Sequence, residues 1–189
     1  MKGKYLLKWL PVAALFGIVA AGIWILVGSE RREKPAVTTP VFENLSAAPP
    51  TTTNVHLYFG DRNGAYLTAE SRSVHAAKNP TAMGKSVMAA LLDGPNDNLT
   101  RLLPEGTALR ALFVPPGGVA YVDIEPAAEA YPGGARSELL TVYSIVNSLV
   151  LNVPQIERVK LLVAGRESNT LAGHVALNEP LAAQMLLVR

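Results

Sequence analysis

Between Gly133 and Asn152 the chain reads GGARSELLTVYSIVNSLVLN, and its apolar positions recur at helical spacing: Leu139, Val142, Val146 and Leu149, widened by Leu140, Tyr143, Ile145 and Val150. The polar residues left over, Ser137, Glu138, Thr141, Ser144, Asn147 and Ser148, make only a narrow strip. This pattern predicts a helix packed hard against a sheet. Gly133 and Gly134 let the chain turn into it, Ser137 or a neighbour is placed to cap its first amides, and Asn152 with Pro154 closes it.

Other segments carry the same kind of signal. Val55–Phe59 predicts a short strand, and the turn-forming run Asp61-Arg62-Asn63-Gly64 leads to a second strand, Tyr66–Val74, polar on one face through Thr68, Glu70 and Arg72. Pro80–Leu92 predicts a helix lined by Met83, Val87, Met88, Leu91 and Leu92, ended by Gly94-Pro95. Leu99–Gly106 is a connecting arm pinned by Leu102 and Leu103. Thr107–Val114 and Val119–Ile124 flank Pro115-Pro116-Gly117-Gly118, a hairpin signal in which proline presets one turn residue and glycine supplies positive φ. Val159–Val163 has the apolar character of an interior strand, and Ala164-Gly165-Arg166-Glu167 turns the chain towards a final edge segment, Thr170–Val175. Strand, strand, helix, hairpin, helix, strand and edge predict an α+β two-layer sandwich, with two main helices on one face of a mixed β-sheet.

The amino-terminal part follows different rules. Lys2, Lys4 and Lys8 precede an uncharged run, Leu10–Gly28, close to the ~20 residues that span a bilayer. Residues 1–28 therefore read as a transmembrane anchor. The rival is a cleaved leader with Val19 and Ala21 before the cut, although Ile23–Val27 prolongs the apolar run past it. Positive charge is tied across the segment, Lys2, Lys4 and Lys8 facing Arg31, Arg32 and Lys34, and the amino terminus tips the orientation towards a cytoplasmic start. Residues 29–54, with Pro35, Pro40, Pro49 and Pro50, read as a linker without a core, and 55–189 as the folded domain.

Composition narrows the chemistry. Seventeen Lys and Arg against 15 Asp and Glu leave no clustered basic excess, which argues against a nucleic-acid partner. With no cysteine there is neither a disulfide frame nor a thiolate metal site. His56, His75 and His174 lack metal-binding spacing, and no nucleophile elbow, phosphate loop or dinucleotide fingerprint occurs, so no catalytic residue, cofactor or metal is assigned. Asp61–Gly64 lacks the distal glutamate of a calcium loop and reads as a turn. Asn44-Leu45-Ser46 and Asn98-Leu99-Thr100 match the glycosylation sequon, which matters only in a eukaryotic secretory setting. Asp123 and Glu125 share one side of a strand end, as an acid pair or as solvated or capping carboxylates. Glu138, Asn147, Thr170 and His174 form a possible polar centre. His174 is either an anchor in a binding groove or a buried histidine bonded to a carbonyl or to Glu138. Asn147 and Asn152 are suited to tying loop backbone.

Six motifs in fixed order carry a resemblance: Leu91-Leu92-Asp93-Gly94-Pro95, Pro104-Glu105-Gly106-Thr107, Ala120-Tyr121-Val122-Asp123, Gly133-Gly134 with Ser137-Glu138, Ser144-Ile145-Val146-Asn147, and Thr170-Leu171-Ala172-Gly173-His174. Over about Asn54–Pro180 the chain resembles the GerMN domain, the module of sporulation and spore-germination proteins of the GerM type. The resemblance implies an extracytoplasmic domain of a bacterial envelope, with an α/β fold similar to ring-building modules of secretion-like assemblies; the Leu10–Gly28 run adds the expectation that it is held at the inner membrane by a single pass. Relatives carry the domain alone, duplicated or fused to cell-wall amidase domains; one copy is expected here. Two functional classes follow. One is a scaffold that docks an envelope protein, peptidoglycan or further copies of itself through the Pro115–Gly118 hairpin and strand edges. The other is a cell-wall hydrolase, or an activator of one, with Asp123, Glu138 and His174 at its centre.

Overall fold

The structure, a computed structural model, describes residues 51–127 and 134–189. The expected anchor, nearly all of the expected linker, the Asn44 sequon and Gly133 lie outside the described residues. No helix among those described is long and apolar enough to cross a membrane.

Nine-residue strands β1 (Thr52–Gly60) and β2 (Leu67–His75) pair antiparallel from Thr52 opposite His75 to Gly60 opposite Leu67. Asp61 makes their turn, its carboxylate accepting the N–H groups of Ala65 (2.6 Å) and Tyr66 (3.0 Å). Helix α1 (Pro80–Leu92) starts with Asn79 as N-cap, whose side chain accepts from Ala82 N–H, and with proline at its first position, where no amide is needed. Strands β3 (Ala108–Phe113) and β4 (Val119–Glu125) form the expected hairpin, with a bulge at Arg110. Helix α2 (Gly134–Val150) then crosses over to β5 (Arg158–Val163), which lies parallel to β4. Two short strands, β6 (Arg166–Glu167) and β7 (Leu181–Ala182), pair antiparallel with β5, and a 3-10 turn spans Met185–Leu187.

The α+β class stands, with both helices packed on sheet. The strands, however, are divided between two sheets: β1–β2 stands apart from the mixed sheet β3-β4-β5 with β6 and β7. The physical reason lies on the free edge of β1, which meets a helix rather than a strand. One core joins the parts: Val55, Leu57 and Phe59 of β1, Val87 and Met88 of α1, Val122 and Ile124 of β4, Val142, Ile145, Val146 and Leu149 of α2, and Val159 and Leu161 of β5 are buried together. Gly84 lets α1 sit close, since a Cβ there would stand 3.0 Å from a Leu112 methyl.

Two local expectations change. The Thr68, Glu70 and Arg72 face of β2 is its inner one, with Glu70 buried, while Ala69, Ser71, Ser73 and His75 face out. Thr170–Val175 is a bent loop rather than a strand, because its amides turn towards a side chain on α2.

Candidate functional site

The polar strip of α2 is a row of backbone receptors. Thr141, Ser144 and Ser148 on α2, and Asn152 in the turn just past its end, succeed one another three or four residues apart, about 4.5–6 Å per step on the helix. On β1, alternate residues are about 6.8 Å apart, so the two rows run nearly in step. Asn152 accepts from His56 N–H (2.8 Å) and donates to His56 C=O (2.7 Å). Ser148 accepts from the buried Tyr58 N–H (3.0 Å), and Ser144 donates to Tyr58 C=O (2.6 Å). Gly60 exchanges bonds with Thr100, and Thr141 donates to Leu102 C=O, so the edge of β1 is closed from His56 to Gly60. Asn147, fully buried, does the same for the carboxy-terminal segment, bonding both N–H (2.9 Å) and C=O (3.2 Å) of Gln184.

Glu138 holds the loop after β6. Its Oε1 accepts from Leu171 N–H (2.9 Å) and Ala172 N–H (2.7 Å), and its Oε2 from His174 N–H (2.7 Å), with His174 Nδ1 at 3.0 Å. Thr170 Oγ1 accepts from Gly173 N–H and tightens the same turn. Burial pushes the Glu138 carboxyl up, but the N–H groups of Ala172, His174, Val175 and Leu171 outweigh it and hold it below the usual range. Glu138, Thr170 and His174 are thus brought together, whereas Asn147 serves Gln184 elsewhere on the helix. The alternative in which His174 bonds Glu138 is present, but without the burial expected of it: the His174 side chain is 44% exposed while that of Glu138 is 1% exposed.

A second buried carboxylate was not legible as such. Glu70 accepts from Asn96 N–H (2.9 Å) and Asp97 N–H (3.0 Å) and pairs with Arg72, which donates to Ala90 C=O (2.9 Å). Burial again pushes the carboxyl up; the Asp97 amide, the Arg72 guanidinium and the Asn96 amide bring it down. The available signal was parity, since Glu70 and Arg72 share the strand face of Val74.

Asp123 and Glu125 do not act as an acid pair: Arg110 bridges them at 3.1 and 2.7 Å, and Asp123 also accepts from Gly165 N–H (2.9 Å). Asp123 therefore does not join Glu138 and His174, and the polar centre expected of a hydrolase is dispersed.

What the hairpin exposes is apolar. Phe113 and Tyr121 lie directly opposite each other on the outer face of β3–β4, 61% and 44% exposed. The turn Pro115–Gly118 follows Phe113 closely, with Pro116 and Gly117 exposed. Gly118 has φ +78° and its C=O accepts from Glu157 and Arg158 N–H, tying the base of the turn to the start of β5. Sequence reasoning marked the turn but missed the aromatic pair.

These features define a class: an α+β module whose buried carboxylates and amides hold loops, with an aromatic patch beside a tight hairpin. The chain belongs to the Germane family, described as sporulation and spore germination, whose profile matches residues 56–169. The fold is similar to the tandem GerMN domains of the sporulation protein GerM from Bacillus subtilis (TM-score 0.54, 20% identity, 70% of this chain and 46% of that one). It is also similar to the first GerMN domain of the same protein (TM-score 0.51, 17% identity, 69% and 97%). A Clostridium perfringens structure named "Putative Lipoprotein" has a TM-score of 0.50, with 21% identity over 69% of this chain and 87% of that one. No curated protein sequence matches the chain.

Proposed function

We propose that this chain is a membrane-anchored, extracytoplasmic interaction module of the bacterial envelope, docking an envelope protein or peptidoglycan through the outer face of the β3–β4 hairpin. The observation that carries this reading is the cross-strand pair Phe113 and Tyr121, exposed beside Pro115–Gly118. Two large rings side by side on solvent are costly unless covered, and aromatic residues are the usual anchors of interfaces. The polar groups favour binding over chemistry, since Glu70, Asp123 and Glu138 are occupied by backbone amides or arginine. Family membership supports a role in sporulation or germination, and the run Leu10–Gly28 supports an anchor with the domain on the far side of the membrane.

The test is recovery of crosslinked partners from the native envelope by the full-length anchored chain, alongside sedimentation with purified peptidoglycan. Recovery that falls with Phe113→Asp and Tyr121→Asp supports the reading; recovery indifferent to both opposes it. Protease added to spheroplasts should remove the domain and leave a membrane-held stub, and a protected domain would contradict the orientation.

A further inference from the structure

The two edges of the β1–β2 sheet are treated differently. On β1, His56, Tyr58 and Gly60 direct both backbone groups away from β2, towards Asn152, Ser144, Ser148 and Thr100. Their cross-strand partners are Ser71, Ala69 and Leu67. In an antiparallel pair, residues opposite a position that bonds outward also bond outward. The outer edge of β2 therefore presents the N–H and C=O of Leu67, Ala69, Ser71 and Ser73. Leu67 is used: its C=O accepts from Arg189 N–H and it bridges Val188. The outward backbone groups of Ala69, Ser71 and Ser73 have no partner among the described residues, and all three residues are exposed, the Ser71 hydroxyl bonding only His56 Nδ1 (3.2 Å).

Soluble proteins blunt such edges with proline, lysine, a bulge or an inward-pointing charge. Between Ala69 and Ser73 there is no proline, lysine or bulge. There are inward charges, Glu70 and Arg72, paired with each other within the chain, and their order along β2 distinguishes the registers open to a second copy. Two copies of β2 running antiparallel can centre on Glu70, on Ser71 or on Arg72. The first sets Glu70 against Glu70 and the third Arg72 against Arg72, and like charges directly opposite are destabilising. Centring on Ser71 sets Glu70 of each copy opposite Arg72 of the other. It also lets Ser71 bond Ser71 and Ala69 bond Ser73, with only small side chains meeting on the outer face.

We propose that the β2 edge is a self-pairing surface: two copies of this chain join β2 to β2 antiparallel about Ser71, making one four-stranded sheet. This surface lies on a different sheet from the Phe113–Tyr121 face and does not depend on the function proposed for that face.

The chain contains no cysteine, which makes the register directly readable. Bonded antiparallel partners have Cα atoms about 5.5 Å apart, within the ~4.4–6.8 Å of a disulfide. Full-length chain in detergent, carrying Ser71→Cys, should form a disulfide dimer under mild oxidation. Ala69→Cys alone and Ser73→Cys alone should not, since each lies about 14 Å from its own copy in this register; the two variants mixed should crosslink. Ser71→Pro removes the outward N–H and the exposed Ser71 Oγ–His56 Nδ1 contact (3.2 Å) but no bond between β1 and β2 backbones, so the chain should sediment as a monomer with an unfolding midpoint close to that of Ser71→Ala. Equal crosslinking at all three positions, or a wild-type chain that is monomeric at every concentration, would overturn the proposal.

Discussion

Glu138 shows how one side chain organises a stretch of chain with little secondary structure of its own. Replacing it with Ala leaves the amides of Leu171, Ala172 and His174 without their acceptor, at about 1–3 kcal/mol for each that stays buried. His174→Ala removes a single bond from a half-exposed ring and should cost about 0.5–1.5 kcal/mol. Chemical denaturation of the two single variants and the double variant should show coupling, because the groups touch; strictly additive losses would refute the contact. Acid should reveal Glu138 and Glu70 together. Both carboxyls are depressed in the folded state, so their contribution is complete above the unfolded glutamate value of about 4.3 and is lost as pH falls through the lower folded values. Urea midpoints measured on wild type and on Glu138→Gln should converge as pH falls through that window; a gap that stays constant would contradict the assignment. The sequence marked Glu138 and His174 as partners, but not the three amides, because backbone direction in a bent loop leaves no trace in side-chain pattern.

Helix α2 separates two kinds of work along its length. Leu149 is wholly buried among Val146, Ile145 and the sheet, and Leu149→Ala should cost about 2–5 kcal/mol through lost burial and a residual cavity. Its neighbour Ser148 faces β1, and Ser148→Ala should cost about 1–3 kcal/mol by stranding the buried Tyr58 amide. Ser148→Thr keeps the hydroxyl and should recover part of that loss; equal instability of both variants would place the defect in packing instead. The apolar stripe was legible because burial repeats every 3.6 residues. The serine and asparagine row was visible only as leftover polarity, since nothing local says that a strand edge lies against it. For the same reason one mixed sheet was expected: the pattern gives strands, and a helix substituting for a neighbouring strand is a tertiary event.

At the scale of the molecule, polar groups inside tie loops to a shared core, while outside Phe113 and Tyr121 stand as a cross-strand pair on one hairpin, apart from the exposed Leu151, Met185 and Leu186. Phe113 and Tyr121 escaped notice in the sequence because their strands were read from the Pro115–Gly118 turn between them, which does not say whether the outer side of the hairpin is wet or covered. The most direct measurement compares wild-type chain with the Phe113→Asp, Tyr121→Lys double variant, reading crosslinked partner recovery from the native envelope and the thermal midpoint of the same preparations. Phe113 is mostly on solvent, Tyr121 is 44% exposed, and opposite charges replace the facing rings, so the midpoint should move little. The account predicts at least a tenfold fall in recovery at an unchanged midpoint. Undiminished recovery by a folded variant would contradict it.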